Sequence, residues 1–119
     1  MIFASLKMRL KPLLSSLKEK KRYVAFEVIS QNKVNYADTA GAIIENYKKY
    51  FGIIGLARSN LMIMEDWKNQ KGIIKVNNKY ADELKSSLAL IKSINNHDVI
   101  VRCIGVSGMI NKVRAKYIG

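Results

Sequence analysis

Side chains able to perform acid–base or covalent chemistry are few in these 119 residues, and their spacing builds no catalytic constellation. His97 is the single histidine, set in the polar run Asn95-Asn96-His97-Asp98, where a solvated turn residue is the plain reading. No serine or cysteine stands in a motif that would pair with it as a nucleophile. Cys103 is alone, so no internal disulfide can form, and its place among β-branched neighbours reads as an inert thiol. The carboxylates Glu65-Asp66 and Asp82-Glu83 come as adjacent pairs, whose members point to different sides of a strand or helix. A metal site needs clustered ligands instead. Gly105-x-x-Gly108 before a short helical pattern resembles a phosphate-cradling turn. Lacking the full nucleotide-binding fingerprint, it supports backbone–phosphate contact at most. The expectation is no catalytic residue, no metal ligand and no cofactor bound by this chain.

The cations are a different matter. Twenty-one Lys and Arg against nine Asp and Glu leave a net charge of +12, an excess that calls for an anionic partner, most commonly nucleic acid. Lys20-Lys21-Arg22 stands directly before an apolar strand, and Lys112, Arg114 and Lys116 follow the last one, with no acid after Asp98. Together with Arg102, these are the candidate phosphate contacts, and Ser107 and Gly108 are candidates to contact the backbone through their amides. Glu27, Lys75 and Arg102 interrupt apolar strands at positions that can share one sheet face. Tyr23, Leu61, Ile63 and Trp67 are the apolar residues expected at the surface, available for self-association or a protein partner. No apolar run approaches the roughly 20 residues needed to span a bilayer, and Lys7, Arg9 and Lys11 interrupt any secretory signal. A cytoplasmic protein with no membrane contact is expected.

These residues have to be positioned by a fold. Residues 1–21 read as a basic N-terminal arm carrying Pro12, and residues 22–119 as a single domain. Val24, Phe26 and Val28 alternate with Tyr23, Ala25 and Glu27, which predicts a strand over 22–30. A helix follows to about residue 50, with Ile43, Ile44, Tyr47 and Phe51 at helical spacing and Gly52 stopping it. Gly55 would open a second strand running to residue 65, a tip at 67–70 leads into a third strand over 72–77, and a helix over 79–93 buries Leu84, Leu88 and Ile91. A fourth strand over 99–106 and a basic C-terminal helix complete the chain. The order βαββαβ gives an α+β, ferredoxin-like sandwich with an antiparallel sheet and both main helices on one face. Such a sheet suggests an RNA recognition motif, whose third strand stacks bases on aromatics. The matching stretch, Lys71-Gly72-Ile73-Ile74-Lys75-Val76-Asn77-Asn78, has no aromatic. RNA would be held by charge and shape, not by stacking on that strand.

The run from Lys20 to Val28 resembles the opening of the archaeal ribonuclease P protein component 2 family, relatives of the Pop-type subunit that eukaryotes share with RNase MRP. So do Phe51-Gly52-x-x-Gly55, the Trp67 hairpin with Gly72-Ile73-Ile74, and Ala89-Leu90-Ile91-Lys92-Ser93-Ile94. The strongest match is Val101-Arg102-Cys103-Ile104-Gly105-Val106-Ser107-Gly108 followed by the basic tail. The resemblance implies an RNA-binding subunit of the endonuclease that removes 5′ leaders from precursor tRNA. It further implies that the RNA subunit is the catalyst and holds the Mg²⁺. The implied partners are that RNA, protein component 3 in a two-plus-two assembly around a central pair of this chain, the other proteins of the complex, and precursor tRNA. Residues 1–7 and the Pro12-Leu13-Leu14 segment depart from the family's usual opening. Two rival classes are a ribosome-associated or other structured-RNA-binding protein of the same fold, and a small-molecule-binding regulatory sandwich. The second should bind with little dependence on salt.

Overall fold

The computed structural model describes residues 20–118, so the expected arm lies outside the described residues apart from Lys20 and Lys21. Strand β1 (Lys21–Ser30) is followed by helix α1 (Tyr36–Ser59), β2 (Met62–Lys68), β3 (Lys71–Asn77), a 3-10 turn (Asn78–Tyr80), α2 (Ala81–Ala89), a short β4 (Ser93–Ile94) and β5 (His97–Ser107). The chain closes with one α-helical turn, α3 (Ile110–Val113), continued by a π-helical turn (Arg114–Ile118). The strand order is β2-β3-β1-β5-β4, with every pairing antiparallel. This is the expected ferredoxin-like sandwich, enlarged by the two-residue β4.

Alternation along the strands builds two cores. Val24, Phe26 and Val28 of β1, with Ile74 and Val76 of β3 and Val99 and Val101 of β5, face the helices. There they meet Ile43 and Tyr47 of α1 and Leu84 and Leu88 of α2. Ala25 and Ile73 face the other way and meet Val113, Tyr117 and Ile118 of the C-terminal segment. The sheet face expected to be open is therefore covered over one half by the chain's own tail.

The main departure from the sequence reading is the length of α1. Gly52 does not end it but breaks it, at φ 76° and ψ 174°, and helical structure resumes through Gly55 to Ser59. A positive φ is cheap for glycine alone, so the break can stand inside a helix whose two halves both form. It leaves Ile53 and Ile54 65% and 61% exposed. Asn35 caps the first turn by accepting from the Asp38 N–H at 2.7 Å, and Asn60 ends the helix in the left-handed conformation. The β2–β3 tip is the pair Asn69-Gln70, both at positive φ, which suits the twist of a two-residue hairpin. Trp67 belongs to the strand, opposite Gly72.

Tyr47 is fully buried between α1 and α2 and donates to Glu83 Oε2 at 3.2 Å. Burial, assisted by the Glu83 carboxylate, pushes its phenol up to about 12. A folded pKa above the unfolded value of 10 means the stabilisation is complete below pH 10 and is lost as pH rises towards 12. The expected loss is about 3 kcal/mol. Denaturant titrations across that window should show a shallower pH dependence for Tyr47→Phe than for the unaltered chain.

Candidate nucleic-acid interface

The antiparallel pairing of β1 with β5 sets Tyr23 opposite Ser107. This puts the start of β1, with Lys20, Lys21 and Arg22, beside the end of β5, with Ser107 and Gly108. Gly108 lies so close to Arg22 that a side chain there would come within 3.2 Å of Arg22 Nη1. Arg22 is steadied by donating to the Lys21 carbonyl at 3.0 Å, and Lys21 Nζ donates to Asn77 Oδ1. The C-terminal segment leaves from this corner, and its Lys112 and Lys116 line a cleft of about 220 Å³ with Val106, Ser107 and Tyr117. Neither lysine forms an ion pair with another described residue. Lys116 Nζ sits 5.4 Å from the Tyr117 ring centre. Lys20, Lys21 and Arg22 at the start of β1 thus lie at the same end of the β1–β5 pair as the segment that carries Lys112 and Lys116.

The other two candidate cations are placed apart from that corner. Arg114 turns to the opposite side of the helical segment and donates to both Asp66 oxygens, at 2.9 and 3.2 Å. The hydrogen bonds to Asp66 raise the pKa of its guanidinium further above the already high value. Arg114 is therefore a clasp that ties the tail to β2. Arg102 lies five residues back along β5, roughly 17 Å from Ser107 at strand rise, and pairs with Glu27 at 2.8 Å. Lys71 approaches the same carboxylate at 4.0 Å.

Three further expectations are corrected. Gly105 cradles no phosphate: it lies inside β5, and its missing side chain makes room for the Tyr117 hydroxyl and ring. The helical turn after Gly108 is only four residues long, too short to present a helix N-terminus, and the first amide beyond Gly108, that of Met109, donates to Ser107 Oγ at 3.1 Å. Tyr23, Leu61, Ile63 and Trp67 are half-buried rather than fully exposed: Tyr23 packs beneath the tail, and the other three pack against the helix-side core. Trp67 meets the rings of Phe26 and Tyr36, each at 6.1 Å between centres. The strands that carry Tyr23 and Ile63 were visible in the sequence, but which face would be covered was not, and Trp67, expected at the hairpin tip, belongs to β2. The exposed apolar side chains are instead Ile53, Ile54, Met62 and Ile100, among others.

The Glu27, Lys75 and Arg102 positions do fall on one sheet face. Among the described residues no three His, Cys, Asp or Glu side chains cluster as metal ligands would, and no helix is long and apolar enough to cross a membrane. Cys103 is half-buried, with its thiol 3.7 Å from the Gly105 carbonyl.

Comparison with known proteins follows the same outline. Residues 22–118 match the model of the Rpp14/Pop5 family. Ribonuclease P protein component 2 of Methanococcus vannielii is 37% identical over 109 residues, spanning 92% of this chain and 83% of that protein. Its counterpart in Thermococcus gammatolerans is 36% identical over 114 residues, 93% of this chain and 95% of the relative. In the cryo-EM structure of yeast ribonuclease MRP, one chain superposes with a TM-score of 0.61 at 14% identity, over 77% of this chain and 76% of that one. That last likeness concerns the fold.

Proposed function

The chain belongs to the Rpp14/Pop5 family, and from that membership we propose that it is an RNA-binding subunit of ribonuclease P, the endonuclease that removes 5′ leaders from precursor tRNA. The observation that supports the mechanism is that Lys20, Lys21 and Arg22 lie at the same end of the β1–β5 pair as the segment carrying Lys112 and Lys116. Cations fixed on a folded edge neutralise phosphates that would otherwise repel one another, and they do so without the entropy cost of condensing mobile ions. RNA helices brought together in this way hold their active arrangement at lower Mg²⁺. The Mg²⁺ that serves the reaction is held by the RNA, and the scissile step belongs to the RNA. This chain binds and orients.

In the same reading the protein works in the cytoplasm, as a central pair of this chain flanked by two copies of ribonuclease P protein component 3, with the remaining protein subunits around them and precursor tRNA as substrate. The test is binding of the full chain to ribonuclease P RNA and to ribosomal RNA across a salt series. Each phosphate engaged contributes about 0.7–0.9 to the slope of log affinity against log salt, so four or five contacts give a slope of roughly −3 to −4. Preference for ribonuclease P RNA with that slope supports the reading. Equal or tighter binding to ribosomal RNA would favour a ribosome-associated protein of the same fold, and affinity indifferent to salt would count against any polyanion.

A further inference from the structure

The C-terminal segment covers only the half of the sheet face that holds Tyr23, Ala25 and Ile73. On the other half, Ile29 of β1 and Ile100 of β5 stand directly opposite each other. They alternate onto the face of the Glu27–Arg102 pair and are 44% and 63% exposed. Beside them the turn after β1 and the tip of the β4–β5 hairpin enclose a cleft of about 520 Å³. Its rim is of another kind from the cationic corner. Gln31, Asn32, Asn96 and His97 line it, Asn32 Nδ2 lies 3.4 Å from His97 Nδ1, and the one charged side chain in the lining is Asp98.

A carboxylate with no cation in the lining disfavours a phosphate. Carboxamides and an imidazole supply both donors and acceptors in a small space, which matches the edge of a nucleobase, and Asp98 can accept from a base amino group. Two adjacent aliphatic side chains offer a flat apolar seat for the ring itself. Arg102, next on the same face, keeps 61% of its side chain exposed while paired with Glu27, so it remains within reach of the backbone that carries the base. Ile100 is seven residues from Ser107, about 24 Å along the strand. One RNA can thus lie with its phosphates at the corner and an unstacked residue at the cleft.

We propose that this cleft receives one unpaired nucleobase of the bound RNA, a proposal that rests on the RNA-binding reading above. The chain then holds its RNA at two points of different chemistry, one reading charge and the other reading a base free of its helix.

The experiment uses the full chain with labelled methyl groups and side-chain amides, titrated with a single-stranded RNA hexamer and with a duplex of equal charge. The single strand is expected to shift the methyls of Ile29 and Ile100 and the side-chain amides of Asn32 and Asn96, whereas the duplex shifts only residues around 107–116. Ile29→Ser with Ile100→Ser, both at exposed positions, should weaken single-strand binding about tenfold with the salt slope unchanged, and Ile100→Leu should retain it. Single strand and duplex perturbing the same residues, or a double variant that binds as before, would overturn the proposal while leaving the cationic corner intact. Methyl shifts that arise only on adding another protein subunit would overturn it in favour of a protein contact. If neither RNA perturbs any residue, the RNA-binding reading falls with it.

Discussion

Alanine at both Lys112 and Lys116 is expected to cut affinity for ribonuclease P RNA by ten- to a hundredfold, and to raise the Mg²⁺ concentration at which the reconstituted enzyme reaches half-maximal cleavage. Both lysines are exposed on one side of the tail and in no ion pair with another described residue, so their removal subtracts charge and leaves the packed side of the segment untouched. Losing two phosphate contacts should flatten the log affinity against log salt slope by about 1.5. Arg114→Ala separates this effect from loss of folding. Arg114 is spent on Asp66, so its removal loosens the tail and should lower affinity with less change in slope. An unaltered slope in the double lysine variant would show that the tail does not touch phosphate.

Gly105→Ala is expected to have the largest effect of any single methyl addition in the domain. A Cβ at this position would overlap the Tyr117 hydroxyl and ring carbons. The ring is the end of a side chain, so it moves and β5 does not. What is lost is the seat of Tyr117 against the sheet, and with it the position of its neighbour Lys116. The stability cost is about 1–2 kcal/mol, the worth of partly burying one such ring. Val113, only 1% exposed, should keep the segment attached at its first turn. Amide exchange over 114–118 should quicken, and RNA affinity should fall towards that of the double lysine variant. Tyr117→Ala alone should reproduce the same exchange pattern. The double variant, Gly105→Ala with Tyr117→Ala, should then cost no more than Tyr117→Ala alone, because the three atoms nearest the added Cβ all belong to Tyr117. Additive costs would mean that Gly105 matters for some other reason.

The fold was legible because its strands alternate cleanly: Val24, Phe26 and Val28 against Tyr23, Ala25 and Glu27 leave little choice of register or face. The extension of α1 past Gly52 was not, since glycine followed by apolar residues reads equally as a helix stop or as the left-handed break it is. The cationic corner was half legible. Charge runs before β1 and after β5 are plain in the sequence, and antiparallel pairing of first and last strands brings them together. Which cations are neutralised is a tertiary fact: Asp66 takes Arg114 and Glu27 takes Arg102 across 48 and 75 residues of chain. The covered sheet face was missed altogether. Its one local signal is a glycine inside an apolar strand, which marks close approach of another group, together with Tyr117 as the single aromatic of the tail. Leu61, Ile63 and Trp67 are half-buried rather than open for the related reason that period fixes a face but not what lies on it.

The claim on which the account turns is that this polypeptide arranges RNA and the RNA performs the cleavage. Precursor tRNA should be incubated with the purified chain after nuclease treatment and removal of all RNA, over a full range of Mg²⁺, and again after adding back ribonuclease P RNA and the other subunits. The precursor should stay uncut in the first series and lose its 5′ leader in the second. Leader release by the RNA-free chain would contradict the claim.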